Sequence, residues 1–186
     1  MKLYLLRHEE HDLDDNTFYS SLNSDGLDCA NKLKYTLEYH NINLLFCSPF
    51  KRTLLTIKPY CEMKNLLVNI DYSLYDVNVE IKRDLLPSDN EYILKNMNYS
   101  SFTKFEDIKK DNGMERSQQF LNHLLTNYKD LNFNILLVTH GEIIKNIVNK
   151  EDFKIPPMGG LVYLDIESNT VKEVNYFEKT VRFENK

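Results

Sequence analysis

Two short apolar segments, each followed by a histidine, decide the fold class: KLYLLRH at residues 2–8 and ILLVTHG at residues 135–141. Short apolar runs that end in a polar residue are typical of strands buried on both faces, as in parallel sheets. Ligands bind such sheets just beyond the carboxyl ends of the strands. We therefore expect His8 and His140 to lie in one crevice at that edge of the sheet.

The rest of the pattern predicts alternating strands and helices. Further strands are predicted at 44–47, 67–70, 161–166 and 171–177, and helices near 25–37, 49–60, 120–128 and 141–149. Ser24 or Asp25 is expected to cap the first helix, and Pro49 to stand in the first turn of the second. This order predicts an α/β sandwich with a mostly parallel central sheet.

At 186 residues the chain is expected to form a single domain, 1–186. Residues 76–116 have few apolar positions at steady spacing, and we interpret them as an insertion with short helices that lies over the active site. The three cysteines (Cys29, Cys47 and Cys61) have no paired spacing, so they are predicted to be buried or half-buried thiols.

Composition excludes several classes of protein. An apolar fraction of 42% argues against disorder, and a net charge of −5 argues against a general nucleic-acid surface. The apolar runs are too short to span a bilayer, so no membrane partner is expected. No secretory signal is visible, and we expect a cytoplasmic protein.

The polar residues at the predicted sheet edge suit phosphate chemistry. A neutral imidazole such as that of His8 can attack an electrophilic phosphorus and form a covalent intermediate. The charge on the phosphoryl oxygens calls for fixed positive donors. Arg7 and Arg52 offer guanidinium groups that bind two oxygens at once, and the helix that begins at Gly141, after His140, adds backbone N–H groups.

Four segments resemble the signatures of the histidine phosphatase superfamily, the phosphoglycerate mutase-like group. They are LRH at 6–8, LNSDG at 22–26, CSPFKRT with Thr56 at 47–56, and VTHG at 138–141. The resemblance implies a three-layer α/β/α sandwich that needs no metal and no other cofactor. It implies a phosphohistidine at His8, with Arg7, Arg52 and His140 binding the phosphate.

The resemblance also indicates where the proton donor lies. The family takes this acid from an L-x-E segment after the third strand, where the chain reads Leu74-Tyr75-Asp76. Asp76 is therefore the first candidate and Glu80 the second. The acid would protonate the leaving oxygen and then activate water. The segment GMERS at 113–117 also resembles a family segment, G-E-S, with one residue more.

Two departures from the family pattern leave alternatives open. Glu9 stands where a glycine usually follows the nucleophile, and its carboxylate either faces the phosphate and repels it or faces away. Residues 11–15 lack the family's polar-Trp-Asn pattern. We expect a phosphatase for a small phosphate monoester or a phosphoprotein. The alternatives are an inactive relative that binds a phosphorylated ligand or protein and, less favoured, a phosphoglycerate mutase-type phosphotransferase.

The other histidines have plainer interpretations. The spacing of His8 and His11 is not the helical H-E-x-x-H of zinc proteases, so no metal site is predicted there. His11 is expected at the mouth of the site or exposed to solvent. His40 and His123 are expected to be surface residues without partners.

Overall fold

A computed structural model describes residues 1–15, 17–77, 79, 97–99, 102, 113–167 and 170–177. The strands in this part of the chain are β1 (Lys2–Arg7), β2 (Leu44–Cys47), β3 (Val68–Ile70), β4 (Met97–Tyr99), β5 (Asn134–Thr139), β6 (Leu161–Glu167) and β7 (Thr170–Phe177). The α-helices are α1 (Ser24–Glu38), α2 (Lys51–Lys64), α3 (Met114–Tyr128) and α4 (Gly141–Val148). A short 3₁₀ helix follows β3 at Tyr72–Leu74.

The seven strands form one sheet in the order β4-β3-β2-β5-β1-β6-β7. The pairs from β4 to β1 are parallel, whereas β6 and β7 join the sheet antiparallel. Arg7 of β1 is in register with Thr139 of β5. His8 and His140, one residue further on, therefore leave the sheet side by side at its carboxyl edge, as the sequence predicts.

Alternate residues of the central strands face opposite sides of the sheet, and each side has its own core. Leu6 packs with Leu37 of α1 in one cluster, and residues of α2 complete this cluster. Its neighbour Leu5 packs in a second cluster with Phe120 of α3, which α4 completes. Helices thus cover both faces, which confirms the predicted three-layer α/β/α sandwich with a mostly parallel sheet.

Two predicted helix starts are wrong by one or two residues. The N-cap of α1 is Asn23, whose side-chain oxygen accepts a 2.8 Å hydrogen bond from the Gly26 amide, so Ser24 and Asp25 are already helical. Pro49 precedes α2 and does not stand in its first turn, because the extended Phe50 is the N-cap.

The predicted insertion at 76–116 contains a strand that the sequence pattern does not reveal. Residues 97–99 form β4, which pairs with β3 and extends the sheet at its edge. The short helices expected elsewhere in this segment fall outside the described residues.

The cysteines follow the prediction. Cys47 and Cys61 are buried, Cys29 is half-buried, and all three are free thiols. Burial raises the pKa of the Cys61 thiol to about 12. No helix in the described ranges has the length and apolar character to cross a membrane.

Candidate active site

The structure brings the predicted phosphate-binding residues together around one cavity of about 330 Å³ at the carboxyl edge of the sheet, which we name the phosphate cavity after this prediction. Six of the predicted site residues line it: Arg7, His8, Arg52, Asp76, His140 and Gly141. The ends of two strands (β1 and β5), the starts of two helices (α2 and α4) and the segment after the 3₁₀ helix deliver them, so the site is assembled from distant parts of the chain. Glu80 lies outside the described residues.

The main chain fixes the tautomer of His8. Nδ1 lies 2.8 Å from the carbonyl oxygen of Glu9, and since a carbonyl only accepts, Nδ1 carries the proton. Nε2 makes no hydrogen bond to the described residues, so its lone pair is available to a ligand. Burial and the positive charge of Arg52 lower the pKa of His8 well below its usual value, which keeps the ring neutral. The His8 ring is thus neutral, held in one orientation, and unprotonated at Nε2.

His140 lies beside His8, with 5.2 Å between the ring centroids. Its Nδ1 lies 3.3 Å from Asp76 Oδ2, and its Nε2 lies 2.9 Å from Ser48 Oγ. Arg52 Nη2 lies 3.4 Å from the same Nδ1, and since a guanidinium only donates, Nδ1 accepts from Arg52 and Nε2–H donates to the Ser48 hydroxyl. Burial and the nearby Arg52 lower the pKa of His140 well below its usual value. The ring is therefore held neutral and in one orientation.

Arg52 is almost wholly buried, with 1% of its side chain exposed. Nη1 donates to the Thr17 carbonyl at 3.0 Å, and Nη2 donates to Asp76 Oδ2 at 2.9 Å. The guanidinium also lies over the Phe50 ring, with Cζ 4.4 Å from its centroid. These contacts set the fork in a single position at the cavity wall, which suits it to bind a phosphate.

Asp76 is positioned by two side chains that reach the backbone just before it. Arg116 Nη1 donates to the carbonyls of Ser73 at 3.2 Å and Tyr75 at 2.9 Å. Thr139 Oγ1 donates to the Leu74 carbonyl at 2.7 Å. The carboxylate therefore belongs to a tightly held turn and not to a free loop.

Sequence reasoning missed Ser48 and Arg116 as site residues. Both lie within quoted motifs, CSPFKRT and GMERS, but nothing in the residue types distinguishes them from residues that only complete a turn or a helix. The signal that would have found them is spatial, since each bonds to a residue far away in the sequence.

Glu9 faces away from the phosphate cavity, which decides between the two orientations considered above. Its side chain is 4% exposed and lies against Gly159, which has φ +73°. Its backbone N–H donates to Thr56 Oγ1 at 2.9 Å. The replacement of the usual glycine therefore adds no carboxylate to the wall of the cavity.

His11 lines the cavity, in agreement with the first of its two predicted positions, whereas the expectation that His40 and His123 have no partners is wrong. His11 is buried, with 7% of its surface exposed, because it packs into the cavity wall. His40 and His123 are half-buried, since each packs against an aromatic ring: His40 is tilted against Tyr4 with 4.7 Å between the ring centroids, and His123 stacks on Phe102 at 4.2 Å. Among the described residues no group of three His, Cys, Asp or Glu side chains is arranged to hold a metal ion.

A family model describes the same segments that build this cavity. The model of the histidine phosphatase superfamily (branch 1) matches residues 3–170. The chain belongs to this superfamily. A search of proteins with curated functions finds no match to the histidine phosphatase chain described here.

Solved structures of phosphatases share the fold. A phosphoserine phosphatase of Entamoeba histolytica, in complex with phosphoserine, is 16% identical with a TM-score of 0.64 over 94% of this chain and 96% of its own. A mycobacterial glucosyl-3-phosphoglycerate phosphatase is 14% identical with a TM-score of 0.63 over 95% of each chain. The ecdysone phosphate phosphatase of Bombyx mori is 11% identical with a TM-score of 0.61 over 94% and 95%. Their substrates differ, and at these identities the likeness shows the fold alone.

Proposed function

We propose that this chain is a metal-independent phosphatase that hydrolyses phosphate monoesters through a phosphohistidine at His8. The observation that carries the proposal is the hydrogen bond from His8 Nδ1 to the Glu9 carbonyl, which leaves Nε2 unprotonated and open to the cavity. A protein that only binds a phosphorylated ligand would need the arginines but no oriented nucleophile.

The first step transfers the phosphoryl group. His8 Nε2 attacks the phosphorus, the P–N bond forms, and the P–O bond to the leaving group breaks. Arg7 and Arg52 bind the phosphoryl oxygens together with His140 and the N–H groups at Gly141, where charge is greatest in the transition state. A carboxylic acid protonates the leaving oxygen, and Asp76 is our first candidate, with Glu80 second.

The second step releases phosphate. The same carboxylate takes a proton from water as the water oxygen attacks the phosphorus. The P–N bond breaks, inorganic phosphate leaves, and His8 returns to the neutral form. No electron transfer and no metal is needed for this balance.

A second cavity, of about 730 Å³, gives room for the leaving group. It shares His11, Leu13 and Met158 with the phosphate cavity. Its wall includes Glu10 and Asp12 and, among the described residues, no lysine or arginine. A leaving group with a second phosphate would meet carboxylates there, which favours a phosphatase for monoesters over a mutase that handles bisphosphates.

The test is hydrolysis of p-nitrophenyl phosphate with and without EDTA between about pH 5 and 8. We expect turnover in the wild type that EDTA does not reduce and that His8→Ala abolishes. His123 lies outside the cavity, so His123→Asn is the matched control and should retain wild-type turnover. Activity that survives in His8→Ala would refute the proposal.

A chemical quench tests the intermediate directly. A phosphoramidate is stable to alkali and labile to acid, so wild type quenched during turnover should carry acid-labile phosphate. His8→Ala should carry none. If an active wild-type protein carries no such label, the mechanism is direct attack by water and not covalent catalysis.

A further inference from the structure

We infer that His11 is a third imidazole of the phosphate site: its Nε2 binds the phosphoryl group at His8 and becomes protonated when a dianion binds. The inference rests on the proposed function, because it extends the same site. It goes beyond the family pattern, because residues 11–15 lack the polar-Trp-Asn residues that the family has there.

The loop around His11 holds its ring by one nitrogen. Nδ1 lies 2.9 Å from the Asp12 carbonyl oxygen and 2.9 Å from Ser20 Oγ. The carbonyl accepts, so Nδ1 carries the proton, and in the neutral ring the lone pair is on Nε2. Nε2 makes no hydrogen bond to the described residues. His11 lines the phosphate cavity, and Nε2 is the one polar atom of its ring that no described residue binds.

The distance to His8 fits a shared ligand. The ring centroids of His8 and His11 are 5.1 Å apart and the rings are inclined by 70°. His140 lies on another side of His8 at 5.2 Å. A phosphorus bonded to His8 carries three further oxygens. Because the two rings are only 5.1 Å apart, one of these oxygens can come within hydrogen-bond distance of His11.

The charges around His11 determine when it is protonated. Burial and the positive charges of Arg52 and Arg7 lower the pKa of His11, against the opposing effects of the Asp12 carbonyl and Asp76, so the free protein holds it neutral near pH 7. A bound dianion is an opposite charge within a few ångströms, and it favours the imidazolium. The charged and titratable groups that face His11 are those of Arg7, His8, Arg52, Asp76 and His140.

Two substitutions separate the contact from the titration. In His11→Asn the amide can replace the Nδ1 donor to the Asp12 carbonyl, but nothing replaces Nε2. In His11→Gln the amide reaches the place of Nε2, but it does not titrate. His123→Asn on α3 is the control for loss of an imidazole outside the cavity.

The experiment is calorimetric titration of the full chain with sulfate, in buffers of different ionisation enthalpy near pH 7. Sulfate remains a dianion at this pH, so any proton taken up on binding is taken up by the protein. We expect uptake in wild type and in His123→Asn, and less uptake in His11→Gln at similar affinity. His11→Asn should bind sulfate about tenfold more weakly or worse.

Equal proton uptake in wild type and His11→Gln would overturn the inference, and so would wild-type affinity in His11→Asn or absence of sulfate binding to wild type. The measurement needs no turnover. If His8→Ala hydrolyses esters while His11→Gln loses proton uptake, the proposed function fails and the assignment of His11 stands. If instead His8→Ala abolishes ester hydrolysis while His11→Gln keeps the proton uptake of the wild type, the proposed function stands and the assignment of His11 fails.

Discussion

Nη2 of Arg52 donates a 2.9 Å hydrogen bond to Oδ2 of Asp76, and both side chains line the phosphate cavity. The proposed acid is therefore bonded to the guanidinium that we expect to bind the phosphate. A phosphate oxygen that approaches Nη2 competes with the carboxylate for the same donor. We therefore expect phosphate binding and proton transfer to be coupled through this pair.

Asp76→Asn should tighten the binding of inorganic phosphate several-fold and slow the hydrolysis of alkyl phosphates. The amide removes a negative charge beside the ligand, but it cannot give a proton to a poor leaving group. The p-nitrophenyl ester needs little protonation and should be affected less. Measuring the inhibition constant of phosphate and kcat/KM for both esters checks this, and unchanged turnover of the alkyl ester would pass the role to Glu80.

Arg52→Ala should lower kcat by about 10² to 10³-fold, as loss of a donor to the transition state does in other enzymes. Arg52→Lys should recover only part of this loss, because a lysine keeps the charge but not the planar fork. Steady-state kinetics of the two variants, after thermal melts establish that both are folded, make the comparison. Full recovery in the lysine variant would show that charge alone is needed.

Arg116→Met should act through Asp76 without touching the phosphate. It leaves the Ser73 and Tyr75 carbonyls without their donor, at a cost of about 1–3 kcal/mol in the free energy of unfolding. The turn that carries Asp76 then loses its support, so alkyl phosphates should suffer more than p-nitrophenyl phosphate. A loss of stability with equal effects on both esters would restrict Arg116 to a structural role.

The free energy of unfolding should fall as the pH drops below about 6.5. His8 and His140 have lowered pKa values in the folded chain, so the unfolded chain binds more protons between the unfolded and folded pKa values. Each contributes a slope of up to about 1.4 kcal/mol per pH unit in that window.

The variant for this test is His8→Asn, whose amide can still donate to the Glu9 carbonyl. Urea unfolding at several pH values should give it a shallower slope than wild type, whereas His123→Asn serves as the control. An identical slope in His8→Asn and wild type would mean that other groups cause the loss of stability in acid.

The sequence predicts the fold and most of the cavity because both depend on local patterns. Strands buried on both faces appear as continuous apolar runs, and a residue that follows such a run lies at the sheet edge. His8 and His140 could be assigned in this way, and Arg52 was assigned from its motif, CSPFKRT. The strand β4 could not, since three residues at the edge of a sheet give no periodic signal.

The contacts that tune the site are not local, and this is why the sequence did not predict them. The hydrogen bonds between Ser48 and His140 and between Arg116 and the Tyr75 carbonyl join residues far apart in the chain. His11 was expected at the mouth of the site or exposed to solvent, and the sequence does not show that it is buried. It is buried because Ser20, from the other side of its loop, holds its ring against the cavity wall.

The position of the Glu9 carboxylate makes residues 9 and 159 depend on each other. A Cβ atom at residue 159 would overlap the end of the buried Glu9 side chain, and the φ of +73° there disfavours any residue other than glycine. An alanine at 159 must therefore displace a buried carboxylate as well as adopt a strained backbone, so we expect Gly159→Ala to destabilise the fold less when residue 9 is also a glycine.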